Sequence, residues 1–77
     1  MKKVLIYSTN TCPYCVMAKK LLQEKELSYT EIRVDLDDEA RDRMIARSGR
    51  RTVPQIFIDD VHIGGYDDLY VHFKSGE

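Results

Sequence analysis

Two cysteines, Cys12 and Cys15, are the only thiols in the chain, and they lie in the segment Cys12-Pro13-Tyr14-Cys15. The segment follows an apolar run and opens a helical pattern, so both thiols belong to a strand-to-helix turn. A helix N-terminus carries free N–H groups and about half a positive charge, which favours the thiolate that attacks disulfides. Two intervening residues let the sulfurs meet, so the second thiol can displace whatever the first has captured. The pattern predicts thiol–disulfide exchange, with Cys12 attacking and Cys15 resolving.

The alternatives for this pair are an inert buried thiol and half of a zinc site. A structural zinc ion takes four ligands, and the two histidines of the chain, His62 and His72, lack finger-type spacing with the cysteines. Redox chemistry without a bound metal is therefore the preferred interpretation.

The chain has 77 residues, which predicts one domain over residues 1–77. A disulfide between two cysteines so close together would close too small a loop to stabilise a small secreted domain. The pair therefore indicates a reducing compartment. The apolar run after Lys3 is too short for a signal peptide or a membrane span, so we expect a cytoplasmic protein. The net charge of −1 argues against a nucleic-acid partner, and we expect a monomer that meets other proteins and small molecules rather than a membrane.

The hydrophobic pattern predicts an α/β fold in the order βαβαββα. The predicted strands cover residues 3–8, 29–36, 55–58 and 61–63, and the predicted helices cover 13–25, 38–47 and a last segment that carries Leu69, Tyr70 and Phe73. A right-handed crossover makes the first two strands parallel neighbours, and a hairpin around Asp59-Asp60 adds antiparallel strands. Asp67 is a candidate cap of the last helix. The predicted inward-facing residues are Met17, Ala18, Leu21, Leu22, Ile32, Val34, Leu36, Ala40, Met44 and Ile45.

Three motifs in this order resemble the glutaredoxins, the small members of the thioredoxin-like superfamily. They are Cys12-Pro13-Tyr14-Cys15, Thr52-Val53-Pro54 and Gly64-Gly65-Tyr66-Asp67-Asp68, and together they span nearly the whole chain. The resemblance implies a thioredoxin-like (glutaredoxin) fold, a four-stranded mixed β-sheet flanked by three helices. It also implies a glutathione-dependent thiol–disulfide oxidoreductase with Cys12 and Cys15 as its catalytic residues.

The resemblance further implies a glutathione site. The Val53–Pro54 bond is expected to be cis, with Thr52, Val53 and Pro54 beside the cysteinyl part of the ligand. Gly65, Tyr66 and Asp67 are expected at its γ-glutamyl end, where backbone N–H groups suit a carboxylate. Local structure offers simpler readings: Pro54 as the first residue of a strand, the glycine pair as a strand terminator, and Asp67 as a helix cap.

Two side chains complete the expected site. Tyr14 would flank the tripeptide, and Arg51 would meet the glycyl carboxylate, with Arg41 as a weaker candidate. Both arginines have the alternative of being solvated surface charges. Thr9 stands where many glutaredoxins carry a lysine, so one positive charge expected near Cys12 is absent.

The predicted function is the reduction of protein disulfides and glutathione mixed disulfides, with glutathione as cosubstrate and no tightly bound cofactor. The expected partners are glutathione and disulfide-containing or glutathionylated proteins. One alternative is a glutaredoxin-like hydrogen donor recharged by thioredoxin reductase. The other is a [2Fe–2S] cluster carrier, against which Pro13, Tyr14 and Cys15 argue, because carriers in this family typically have one active-site cysteine followed by glycine and phenylalanine.

Overall fold

The structure is a computed structural model that describes residues 2–74, so Met1 and residues 75–77 of the predicted domain lie outside the described residues. Four strands and three helices alternate in the predicted order. They are β1 (Val4–Ser8), α1 (Pro13–Glu24), β2 (Tyr29–Arg33), α2 (Asp38–Ser48), β3 (Gln55–Ile58), β4 (Val61–Gly64) and α3 (Tyr66–Lys74). No helix within residues 2–74 is long and apolar enough to cross a membrane.

The strands form one mixed sheet in the order β2-β1-β3-β4. β1 runs parallel to β2 and antiparallel to β3, and the hairpin of β3 and β4 completes the sheet. The prediction of a four-stranded mixed sheet with three helices is therefore confirmed.

Each face of the sheet carries its own apolar cluster. On one face, Ala18 and Leu22 of α1 and Leu69 of α3 pack against alternate residues of β1 and β3. On the other face, Ala40 and Met44 of α2 pack with Tyr7, Val34 and Phe57. Strand residues alternate between the two faces, so the short apolar runs of β1 and β3 supply both clusters. The predicted inward positions Ala18, Leu22, Val34, Ala40 and Met44 are all buried.

Two predicted core positions are wrong. Leu36 is 75% exposed, because β2 ends at Arg33 and the N–H of Leu36 donates to the Arg33 carbonyl at 3.2 Å in the following turn. Met17 is 43% exposed. The buried face of α1 is formed by Cys15, Ala18 and Leu22, which recur every three to four residues, and Met17 lies about 100° from Ala18 around the helix.

Candidate active site

Cys12 is the N-cap of α1. Its backbone is extended, with φ −98° and ψ 110°, and its sulfur accepts the backbone N–H of Cys15 at 3.3 Å. Pro13 occupies the first helical turn, where its missing N–H leaves no donor unpaired. The expected position of the first thiol at the helix start is thus confirmed, and the Cys12 side chain remains partly exposed.

Cys15 lies one turn into α1 and is 0% exposed. Burial, followed by the hydrogen bond to Cys12, raises the pKa of the Cys15 thiol to about 12, against smaller opposing effects of the Thr9 backbone and Lys19. As long as no disulfide joins it to Cys12, Cys15 is therefore a neutral thiol at physiological pH. The two sulfurs consequently differ in access, as an attacking and a resolving thiol should.

The loop before β3 lies against the exposed thiol. The Val53–Pro54 peptide bond is cis, as the resemblance implies. The Cys12 sulfur is 3.6 Å from the Val53 carbonyl oxygen, a distance at which the thiol can donate to that oxygen. The strand that follows buries all its residues, so this loop is anchored to the centre of the sheet.

A groove of about 340 Å³ opens at this loop and runs to the start of α3. Its lining residues are Tyr14, Arg50, Thr52, Val53, Pro54, Gln55, Gly65, Tyr66, Asp67 and Asp68. The groove therefore brings together every predicted glutathione-binding residue except Arg51. Arg51 does not line it, and the neighbouring Arg50 does. Arg41, on α2, is likewise outside the lining.

The glycine pair shapes the far end of this groove. Gly64 has φ +124°, and a Cβ there would lie 2.8 Å from the Cβ of Asp68, so the close approach of α3 requires glycine. Gly65 has room for a Cβ, with the Pro54 carbonyl 3.5 Å away. The first glycine thus serves the packing of the helix rather than the approach of a ligand.

Asp68, and not Asp67, caps α3, which corrects the prediction for that helix. Because α3 begins at Tyr66, Asp67 already lies in the first turn, and the Asp68 carboxylate accepts the Gly65 N–H at 3.1 Å. Arg50 donates to the same carboxylate oxygen at 3.3 Å. These contacts, led by the Gly65 N–H, hold the pKa of Asp68 below its usual range.

Two aromatic rings stand side by side on the groove. The ring centroids of Tyr14 and Tyr66 are 6.2 Å apart at an interplanar angle of 35°. Tyr14 is 57% exposed, so its ring is available to cover a bound ligand.

The sequence analysis did not predict two groove residues, Arg50 and Gln55, and it gave Asp68 only as the last residue of the third motif. Gln55 had a visible sign, since it is the polar member of the otherwise apolar β3 and directly follows Pro54. Arg50 had none, because neighbouring charged residues in a loop look alike in a sequence.

Comparison with known proteins identifies the family. The family model described as Glutaredoxin matches residues 4–63. Glutaredoxin 3 of Escherichia coli K12 is 57% identical over 70 residues, covering 91% of this chain and 84% of that protein.

Solved structures give the same result. The solution structure of a glutaredoxin from Brucella melitensis superposes with a TM-score of 0.82 at 49% identity, covering 96% of this chain and 80% of that one. The crystal structure of a buckwheat glutaredoxin–glutathione complex superposes with a TM-score of 0.88 at 31% identity, covering 97% of this chain and 71% of that one. Sequence, fold and the position of the reactive thiols lead to one assignment: this chain belongs to the glutaredoxin family of thiol–disulfide oxidoreductases.

Proposed function

We propose that this oxidoreductase uses glutathione as its cosubstrate and reduces both glutathione mixed disulfides and protein disulfides through the Cys12 thiolate. The carrying observation is the 3.6 Å contact between the Cys12 sulfur and the Val53 carbonyl, which puts the attacking sulfur at the wall of the groove. A related glutaredoxin from buckwheat has been crystallised as a glutathione complex, which supports the choice of ligand.

The groove suits a tripeptide with a carboxylate at each end. We place the cysteinyl part beside Cys12, with the backbone of Val53 as its partner and Thr52 and Pro54 on either side. The γ-glutamyl carboxylate lies at the start of α3, where the N–H groups of that first turn and the helix dipole favour an anion.

Side chains supply the remaining recognition in this proposal. The Asp67 carboxylate faces the ammonium of the γ-glutamyl group, and the Tyr14 and Tyr66 rings flank the ligand. Arg50 lines the groove 3.3 Å from Asp68 and, in place of Arg51, supplies the positive charge that attracts the carboxylates of the ligand.

The monothiol cycle then needs Cys12 alone. Its thiolate attacks the glutathione sulfur of a protein–glutathione mixed disulfide, which forms Cys12–glutathione and releases the protein thiolate to take up a proton. A second glutathione thiolate attacks the glutathione sulfur of that adduct, releasing oxidised glutathione and the Cys12 thiolate.

The dithiol cycle also uses Cys15. Cys12 opens a protein disulfide and stays joined to one of its sulfurs. Cys15 loses its proton and attacks the Cys12 sulfur, which frees the second substrate thiol and leaves a Cys12–Cys15 disulfide. Two glutathiones restore both thiols and leave as oxidised glutathione.

We further propose that the chain acts as a single domain and a monomer in the cytoplasm, on disulfide-containing and glutathionylated proteins. A reducing compartment is supported by the use of both cysteines for exchange chemistry rather than for a structural bridge. No resident metal or cofactor takes part in the steps above.

The test follows NADPH consumption with a small glutathione mixed disulfide in two recycling systems, glutathione with glutathione reductase and thioredoxin reductase alone. Turnover in the glutathione system only is the expected result. Turnover with thioredoxin reductase only would identify the protein as a glutaredoxin-like hydrogen donor that thioredoxin reductase recharges. That result would overturn the glutathione site. Visible absorbance of anaerobically purified protein would instead indicate a [2Fe–2S] carrier.

A further inference from the structure

Gln55 is a polar side chain only 1% exposed, at the start of β3 and directly behind the groove. Its amide nitrogen donates to the Thr52 carbonyl at 3.0 Å and to the Thr52 hydroxyl oxygen at 3.2 Å. Its amide oxygen lies 2.7 Å from Nε2 of His62 on β4. The catalytic steps described above use neither Gln55 nor His62, yet both are tied to a residue that lines the groove.

The chemistry of these groups fixes which atom donates. A backbone carbonyl only accepts, so the Thr52 carbonyl requires the NH₂ side of the Gln55 amide to face it. The amide oxygen must then face His62, and Nε2 of His62 must carry a hydrogen. Burial, followed by the nearby Arg50, lowers the pKa of His62 against the opposing effect of Asp68, which favours the neutral ring. The contact with the Gln55 oxygen then puts the single ring hydrogen on Nε2.

The same arrangement decides the direction of the Thr52 hydroxyl. Because its oxygen accepts from Gln55, its single hydrogen points away from Gln55, and the side chain is exposed on the groove. If the amide turned over, its oxygen would face the Thr52 carbonyl and would draw the hydroxyl hydrogen inward. The groove would then present an acceptor where it now presents a donor.

We propose that His62 and Gln55 are a positioning pair that holds the Thr52 hydroxyl as a hydrogen-bond donor to an oxygen of the bound glutathione. The identity of the ligand rests on the proposed function. The orientation of the pair rests on the hydrogen bonds alone. His62 acts through Gln55, and neither side chain takes part in the exchange at sulfur.

Two variants of His62 separate its N–H from its ring, which packs 5.0 Å from the ring of Phe57. His62→Phe keeps an aromatic ring and removes the donor, whereas His62→Gln keeps a donor and removes the ring. We expect His62→Phe to raise KM for a glutathione mixed disulfide about fivefold with kcat unchanged, the effect of one net hydrogen bond. His62→Gln should retain a KM within about twofold of the parent protein.

A double-mutant cycle tests whether His62 acts through the hydroxyl. Thr52→Val removes the hydroxyl, so adding His62→Phe to it should raise KM no further. If the KM increases caused by Thr52→Val and His62→Phe multiply in the double variant, the proposal is overturned. An unchanged KM in His62→Phe alone would also overturn it. All four proteins are compared by urea unfolding so that a loss of fold is recognised.

Nitrogen-15 NMR of the ligand-free protein separates this proposal from the assignment of glutathione. The expected spectrum shows His62 protonated at Nε2 and bare at Nδ1 at pH 7.5. A ring with a bare Nε2 would overturn the positioning pair even in an enzyme that uses glutathione. Turnover with thioredoxin reductase alone would overturn the ligand and leave the tautomer result standing.

Discussion

The Cys12 sulfur accepts the backbone N–H of Cys15 at 3.3 Å, so the reactive group of the protein is also the cap of its first helix. A thiolate is a stronger acceptor than a thiol, and it lies at the positive end of the α1 dipole. The attacking sulfur thus lies where a backbone N–H group points at it. Cys15 has the opposite environment, because burial favours its neutral form.

Serine substitutions should separate the two cycles. We expect Cys12→Ser to abolish both, because the neutral thiol of Cys15 is buried and cannot reach a substrate. Cys15→Ser should keep the reduction of glutathione mixed disulfides and lose direct reduction of protein disulfides. Initial rates with one substrate of each kind measure this. Loss of all mixed-disulfide activity in Cys15→Ser would contradict the monothiol cycle.

The raised pKa of Cys15, about 12, predicts different pH profiles for the two cycles. In the mixed disulfide the hydrogen bond between the Cys15 and Cys12 side chains is gone, but burial, the largest cause, remains. Below its pKa the thiolate fraction of Cys15 rises about tenfold per pH unit, and single-turnover release of a disulfide substrate should rise with it between about pH 7 and 9.

The control for this profile is the glutathione-dependent step of Cys15→Ser, measured over the same pH range after correction for the ionisation of glutathione itself. It should show no comparable rise. If the rate of the dithiol step does not change between about pH 7 and 9, Cys15 must gain a nearby base in the mixed disulfide.

Neighbouring arginines offer a matched test of which cation serves the carboxylates of glutathione. Arg50 lines the groove and Arg51 does not. We expect Arg50→Gln to raise KM for glutathione about five- to tenfold, through loss of a charge-assisted hydrogen bond, and Arg51→Gln to change it by less than about twofold. Steady-state kinetics at low and high salt give both numbers. The reverse ranking would restore the assignment made from the sequence.

Adjacent aspartates at the start of α3 should separate binding from stability. Asp68, the third residue of α3, accepts the Gly65 N–H as in a capping box, so Asp68→Ala should lower the free energy of unfolding by about 1 kcal/mol. Asp67→Ala removes the same charge from the same turn without that hydrogen bond. It should leave stability nearly unchanged and raise KM for glutathione. An unaltered KM in Asp67→Ala would remove that residue from the proposed site.

The lowered pKa of Asp68 gives this comparison a pH dependence. A carboxylate whose folded-state pKa is depressed stabilises the protein above its ordinary value and loses that effect as the pH falls through the folded-state value. The stability difference between the parent protein and Asp68→Ala should thus be full at pH 7 and shrink below about pH 4. Urea unfolding at pH 7 and at successively lower pH measures it, and a difference that grows as the pH falls would contradict the cap.

The sequence was sufficient for the parts of this molecule that follow from local chemistry and periodicity. The order of elements, the position of Cys12 at a helix start and the hairpin around Asp59-Asp60 all came from such patterns. The cis bond at Pro54 required the family resemblance, because few prolines are cis.

The errors of the sequence analysis arose where tertiary geometry decides. The alternation of polar and apolar residues continues through Leu36, although the chain leaves the sheet after Arg33. Neighbouring side chains of the same charge point in different directions, and the sequence does not show which one faces the groove or the helix start. This applies to Arg50 and Arg51 and also to Asp67 and Asp68. The hydrogen bond between Gln55 and His62 joins two strands, and neither residue's sequence context predicts it.

Two helix ends in left-handed conformation provide a last prediction, with opposite signs. Glu26 follows α1 with φ 58°, and the N–H groups of Glu26 and Leu27 bond back to Gln23 and Leu22 at 2.9 and 3.0 Å. This is the helix ending that glycine favours. Gly49 ends α2 with φ 72°, and a Cβ there would meet nothing within 4 Å.

We therefore expect Glu26→Gly to stabilise the protein by about 0.5–1 kcal/mol and Gly49→Ala to destabilise it by about 1 kcal/mol, both through backbone conformation alone. Urea unfolding of the two variants and the parent protein measures the effects. Since neither residue lines the groove, mixed-disulfide turnover serves as the control and should stay the same. A stabilising Gly49→Ala would show that α2 ends differently in solution.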